Sequence, residues 1–557
     1  MIARTMPTYH TLGSSRNGQR GGALLVMLVI LVIGITTAFV TSLSSTAINN
    51  KRNQTTAEAL AQAKEALIGY AVTYGDTHPG KTHGYLSCPD LGSLAEGTAP
   101  SECALGGTNE LGRLPWRTLG LPALFDGAGE CLWYAVSGNY GNKSLGLTMN
   151  WDAPVQLHLY GSDGNEIAAN EIVALVIAPG SPVSGNSDRA GSSAPICGGN
   201  YTAAAYLDSD SDPSHGTNYN NAVATGKFIL QHEHRDANGN VTLTVNDQFA
   251  IITRQDIWTA IQKRIAREAK ECLDGYANTS GGKYPWAVPV STPTAFSPLV
   301  MGEYNTLFGR LPTRPNVQDE STPTEIVTMQ ARFAELWSAL ATFEASKTAA
   351  NLTLVKSRAS AAKNAADIVG DNYDDTELEP PADVLEDSAK DVQDNLTVST
   401  SSTDIVNIQN AIIGAANDFT SAMAEVFSQD DGMEKTWRPS CTLFSSAQWE
   451  HWKDLVFYQI ADGFKPSGTA VCGNCLSVEG SGHNLAGSGT YRATVIVAGK
   501  KLTATRTLSN VDDYLEPDNT LPKDDYTKPY KTHRITDAAY QTVNDFVLCL
   551  DGVVSCQ

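Results

Sequence analysis

Positive charge is scarce in this chain: 39 Lys and Arg stand against 60 Asp and Glu, a net charge of -21. Affinity that rests on neutralising phosphates needs the opposite balance, so nucleic acid is excluded as a principal partner. Charged residues of both signs together make up only 18%, while 42% are hydrophobic, the composition of a folded rather than a disordered chain. No GxSxG, HExxH or kinase-type set occurs and no other catalytic constellation stands out, so the chain reads as a non-enzyme. Long apolar runs are missing except for one near the start. The 557 residues exceed what one hydrophobic core supports, about 250 to 300, so two or three domains are expected.

All 10 cysteines lie beyond that apolar run. An even number in that position fits an oxidising compartment with disulfides, whose pairing the spacing leaves open. Cys549 and Cys556 could close a small terminal loop, and Cys472-Gly-Asn-Cys475 has the spacing of a redox pair, although structural bridges are the favoured reading.

Residues 1 to 21 contain Arg4, Arg16 and Arg20, no acid, and end at Gly21 just before the uncharged stretch Ala23 to Val40. A secretory signal would be cut after its apolar core; here the hydrophilic leader ends in Gly before the core, in QRG followed by GALLVMLVILVIG. Eighteen residues are near the lower limit for crossing a ~30 Å hydrocarbon layer. Leu60, Ala63, Leu67 and Tyr70 then recur at helical spacing, and no proline intervenes from Gly22 to Tyr74. One helix of that length measures about 80 Å, so its second half must pack on something soluble. The three leader arginines favour an inside leader, although Lys51 and Arg52 lie just past the span.

This arrangement resembles the type III signal of type IV pilins and type II secretion pseudopilins. The resemblance implies that a prepilin peptidase cuts after Gly21 and methylates Gly22, leaving a retained spine helix anchored in the bacterial inner membrane with its head in the periplasm or on a surface filament. A single-pass anchor or uncleaved signal is the competing reading. The fifth mature residue, Glu in most pilins, is Val26 here. A lone carboxylate in hydrocarbon costs several kcal/mol unless paired, so Val26 removes both a penalty and a docking interaction. X-type minor pilins and the large K-type minor pseudopilins, found at filament tips, are similar in lacking it.

Residues 61–70, AQAKEALIGY, are echoed by 267–276, REAKECLDGY; 111–118, LGRLPWRT, by 308–315, FGRLPTRP; and 131–138, CLWYAVSG, by 455–463, LVFYQIADG. Three matches in one order point to an internal duplication. The expected fold class is α+β: a long pilin-type N-terminal helix, two pilin-like heads with antiparallel sheets, and an inserted helical arm. The boundaries expected are a leader at 1–21, a transmembrane and spine helix at 22–74, a first head at 75–256, a second head at 257–315 plus 439–557, and the arm at 316–438. The first head should end in a hairpin around Asp236–Asn240, and Asp256 to Asp274 should be the second head's helix. In the arm, Phe333 to Leu354 and Ile405 to Val426 have helical spacing. Residues 371–391, with nine acids, one Lys and Pro380-Pro381, read as a solvated connection between them.

Other motifs compete with blander readings. Gly75 to Thr82 satisfies GxxxxGK[ST], but a helical pattern precedes it and no helix signal follows, so a turn ending a helix is favoured over a phosphate loop. Asp208, Asp210 and Asp212 alternate and could wrap a hard cation, though the sequence by itself favours an exposed acidic loop. Calcium is the one cofactor candidate, because K-type pseudopilins, which the chain resembles, bind it in their heads. His232 and His234 would share a strand face but lack a third ligand. The resemblance implies a minor pilin or pseudopilin at a tip or initiating position, its partners being other pilins, prepilin peptidase and the inner membrane. A tip-displayed adhesin or substrate-binding module is the alternative.

Overall fold

A computed structural model of the chain describes residues 22–103, 107–141, 148–183, 188–210, 218–224, 227–235, 238–290, 306–313, 315, 323–374, 376–426, 437–480, 491–501, 505–520, 522, 528–532 and 544–550. Helix α1 (Gly22–Thr77) runs unbroken for 56 residues and stops before His78-Pro79, where the proline ring disfavours helical geometry in the residue preceding it. Residues 46–54 are exposed on every side, whereas Ala59, Ala63, Leu67, Ala71 and Tyr74 are buried at gaps of three and four. The body grips the helix from Arg52 onward: Gly127 lies so close to the Arg52 carbonyl that a Cβ could not fit, and its N–H donates to Thr56 Oγ1 at 2.9 Å.

Strands β1 (Glu110–Arg113), β2 (Trp133–Val136) and β3 (Ile172–Ala178) follow, then the hairpin of β4 (His232–Arg235) and β5 (Val241–Val245), then β6 (Gln248–Thr253). The main sheet has the order β1-β2-β3-β6, antiparallel throughout, and the hairpin forms where the Asp236–Asn240 turn cluster predicts it. Both faces of this sheet are covered. Tyr134 and Val136 face α1, while Trp133 and Ala135 meet Leu159, Tyr206 and Phe228 on the other side. This is why β2 and β3 read as continuous apolar runs rather than alternating ones.

The chain leaves β6 directly into α2 (Arg254–Ala277), started by a capping box between Thr253 and Asp256. Strands β7 (Phe308–Arg310), β8 (Val456–Ile460), β9 (Ala493–Val497) and β10 (Phe546–Leu550) form a second antiparallel sheet in that order. Each unit is therefore a helix followed by a four-stranded sheet whose order is the order of the chain. The buried half of α1, the apolar side of α2 and the facing sides of both sheets share one core. Two polar links tie the helices together: Lys64 Nζ to Asp256 Oδ2 at 3.1 Å, and a two-pronged Arg264–Asp76 pair at 2.7 and 2.8 Å. The described part is α+β with antiparallel sheets, as the sequence implied.

Between β7 and β8 lies the arm: α3 (Thr324–Ala345), α4 (Ala349–Asn372), α5 (Glu379–Asn395) and α6 (Ser402–Val426). It has its own core, including Phe333, Leu340, Val369, Leu385 and Phe419. Its base is clasped by Trp437 Nε1 donating to the Thr313 carbonyl at 2.8 Å.

Two expectations are corrected here. Residues 379–395 are a helix, not a solvated link: Pro380 and Pro381 sit in the first turn, where their missing N–H groups cost nothing, and Ala382, Leu385, Ala389 and Val392 bury one narrow stripe under the acids. The regular spacing from Phe333 to Leu354 spans two helices, because the chain turns extended at Ser346 and restarts at Thr348, whose hydroxyl caps Asn351 N–H at 3.2 Å. Thr348→Ala is expected to destabilise the first turn of α4 by about 1 kcal/mol. Hydrogen exchange of the full chain should show faster exchange there and nowhere in α3.

Among the described residues no helix is long and apolar enough to cross a membrane. Of residues 23–40, the side chains of Met27, Ile30, Leu31 and Val32 are described, and all four are exposed.

Candidate functional site

Gly21 and Asp212 lie outside the described residues, Gly22 opens α1, and Val26 belongs to α1 with its side chain outside what is described. Asp208 and Asp210 are buried, which overturns the exposed-loop reading. They turn to different partners. Asp208 Oδ2 accepts the Asn246 N–H at 2.7 Å, whereas Asp210 Oδ2 lies 3.5 Å from His232 Nε2. The burial has a structural cause: residues 209–210 pair with 219–220 as a short antiparallel ladder beneath the β4–β5 hairpin. His234 follows on β4, and no group of three His, Cys, Asp or Glu able to hold a metal occurs among the described residues.

The GxxxxGK[ST] segment is a helix end, as its flanks implied. Gly75 is within α1, residues 78–80 turn, and Thr82 Oγ1 and the His83 N–H both donate to Gln448 Oε1, at 2.6 and 2.7 Å. The segment docks one unit on the other and offers no cradle of N–H groups. Burial, and then the Arg264 guanidinium, push His83 down to about 4, so it sits neutral in this junction.

The most organised polar site is one that occurs twice. In the first unit, two guanidiniums lie over the Tyr206 ring, Arg113 at 4.9 Å and Arg189 at 5.0 Å from its centroid. In the second, Arg310 and Arg506 lie over the Tyr514 ring, both at 5.0 Å. Arg189 donates to the Gly180 carbonyl and Arg506 to that of Gly499, the glycines that follow β3 and β9. Two residues beyond each tyrosine comes a buried acid, Asp208 or Glu516. Asp208 accepts from the Asn246 N–H and Glu516 from the Asn544 N–H. The next residues, Asp247 and Asp545, accept in turn from Asp208 and Glu516 backbone N–H groups at 2.9 and 3.2 Å, and from the amides of Asn221 and Asn519 at 2.8 and 3.0 Å. In both copies a Tyr-Leu-acid loop is thereby locked to the start of the last strand.

Each lock places two carboxyl groups together out of water. Burial and then the negative charge of Asp208 push Asp247 well above the usual carboxylate range; burial and then Asp545 do the same to Glu516. Each pair therefore favours holding a proton over carrying two bare charges, because like charges repel most strongly in a dry site. On the arginine side, burial lowers Arg310, and its aromatic neighbours Phe457 and Tyr514 take over part of the solvation that water would give. The arrangement holds loops rather than presenting a nucleophile or a substrate cavity.

Disulfides join Cys88 to Cys103, Cys131 to Cys197, Cys272 to Cys441 and Cys472 to Cys475. Cys549 is also bonded, and Cys556 lies outside the described residues. Cys272–Cys441 spans 169 residues and pins the end of α2 to the chain returning from the arm.

The three repeat matches fall on equivalent places: α1 and α2, β1 and β7, β2 and β8. Two further matches escaped the sequence reading, Tyr206-Leu207-Asp208 with Tyr514-Leu515-Glu516, and Val245-Asn246-Asp247 with Val543-Asn544-Asp545. They were legible as short echoes, but loops of different length separate them from the stronger motifs. No family model, curated protein or solved structure matches the chain.

Proposed function

We propose that this chain is a minor pilin or pseudopilin, a structural subunit of a type IV pilus or type II secretion pseudopilus. One observation carries the reading. The 56-residue α1 uses its C-terminal part as the packing helix of an antiparallel sheet, while its apolar N-terminal part includes exposed Met27, Ile30, Leu31 and Val32. Exposed apolar side chains on a rod are stable only when lipid or other rods cover them.

In this reading residues 1–21 are the leader, 22–74 the anchor and spine, and the two units are heads joined by α2, with the arm carried on the second. The subunit sits in the inner membrane before assembly, its heads outside the cytoplasm, and its work is packing rather than catalysis. Two heads and an arm on one rod would crowd a closely stacked shaft, which favours the tip. Mass spectrometry of the mature N-terminus, with and without prepilin peptidase, tests the proposal. The expected product begins at Gly22 and carries a methyl group only when the peptidase is present. A product that starts beyond Val40, or that keeps Met1 with the peptidase present, overturns it.

A further inference from the structure

The Cys472–Cys475 bridge differs from the other three described bridges in loop size and in access. Its sequence separation is 3, against 15, 66 and 169, and the constraint a disulfide places on the unfolded chain grows with the loop it closes, so this one contributes least to stability. Cys472 is exposed, whereas every other described cysteine is buried or half-buried, Cys475 among the buried at 5%. Thiol–disulfide exchange needs a thiolate to reach one sulfur while the other leaves, so access fixes the direction of attack.

The loop is held firmly around this pair. Ala470 takes a left-handed backbone, φ 56°, its N–H donates to the Gly463 carbonyl at 2.8 Å, and Leu476 pairs with Tyr491. Side chains anchor the preceding residues: Lys283 Nζ donates to the Pro466 carbonyl, Arg492 lies over Phe464, and Lys465 pairs with Asp462. Lys465 also lies over Trp286, whose ring belongs to the arm's core, so the loop sits where the second unit meets the arm.

We propose that Cys472–Cys475 is a redox-active disulfide that accepts electrons from a dithiol reductant, with Cys472 the sulfur attacked and Cys475 the leaving group. A thiolate of the reductant bonds to Cys472 Sγ, the Cys472–Cys475 bond breaks, and Cys475 departs as a thiolate that takes up a proton. The reductant's second thiol, deprotonated, then attacks its own sulfur in the mixed disulfide and releases Cys472. Two electrons have moved: the dithiol becomes a disulfide and the pair becomes two thiols. This proposal stands apart from the assembly reading.

The test exposes the full chain to graded dithiothreitol, and separately to reduced glutathione, followed by acid quenching, alkylation and peptide mass spectrometry. Cys472 and Cys475 should be labelled at a dithiothreitol concentration at least tenfold below that needed for the 88–103, 131–197 and 272–441 bridges. Glutathione, a monothiol, should leave its adduct on Cys472. The Cys472→Ser/Cys475→Ser double variant should melt at the unaltered temperature, which separates a redox role from a structural one. Opening of this pair together with or after the others, an adduct on Cys475 instead, or a lowered melting temperature in the double variant overturns the proposal. Should the double variant fail to fold, the role is structural and the proposal falls with it.

Discussion

Trp258→Ala is expected to cost about 4 kcal/mol and to loosen both units at once. The ring is fully buried on α2 and serves three neighbours. Its six-membered ring fills the space left by Gly84, in the chain just past α1; Gly84 has φ 104°, and a Cβ there would collide with the indole. Its Nε1 donates to the Tyr140 hydroxyl at 3.2 Å, in the first unit. Its edge meets Trp452, in the second, with ring centroids 6.0 Å apart. Truncation removes the transfer free energy of a large side chain and leaves a cavity that neighbours on three different segments cannot collapse to fill. Urea unfolding of the full chain, with hydrogen exchange read separately on β2 and β8, should show both strands destabilised. A change confined to one sheet, or below 1 kcal/mol, would mean that the units do not share a core.

Stability should also fall as pH rises from 6.5 to 9, by up to about 1.4 kcal/mol per pH unit from Glu516, whose carboxyl is pushed up to about 10, with Asp247 adding in the same direction. The sign follows from the direction of the shifts. Asp247 and Glu516 keep a proton in the folded chain well above the range in which the unfolded chain loses it. Over that window the unfolded state binds fewer protons, so each step in pH favours unfolding. His83, held down by burial, makes its own contribution below pH 6.5 and leaves this window unaffected. Asp247→Asn and Glu516→Gln each replace the protonated acid with a neutral group of like shape, and each should flatten the slope by up to one proton's worth. Urea midpoints at pH 6.5, 7.5 and 8.5 are the measurement. A slope unchanged in the double variant would mean that neither pair holds a proton.

Much of the architecture was legible because it is written twice. Helical spacing located α1 and α2, and the LGRLP and FGRLP echo marked as equivalent the two segments that turn out to carry β1 and β7. What stayed hidden depends on contacts distant in sequence. The acids of α5 mask its four-residue apolar stripe, because a stripe of Ala382, Leu385, Ala389 and Val392 makes sense only once α4 and α6 lie beside it. Asp208 looked like a surface ligand because alternation of acids in a Ser-rich run is the ordinary pattern of an exposed loop. Only its partners Asn246 and Asp247, almost forty residues on, draw it inside. The arginine–tyrosine clusters draw two arginines and a tyrosine from separate stretches of chain, none of which signals the cluster by itself.

The arm enters and leaves the second sheet between β7 and β8, adjacent strands paired with Phe308 opposite Gln459 and Arg310 opposite Phe457. In most antiparallel pairs a turn of a few residues fills that position. Because Trp437 and Thr313 close the base, and because closure entropy rises only slowly with loop length, the sheet's register does not depend on what is spliced in. The arm is thus an exchangeable cassette. A lineage could lengthen or shorten its far end without disturbing the core the two units share, while its near end stays tied to Trp286 and Val288 of the second unit, so divergence among chains of this design should concentrate at the far end.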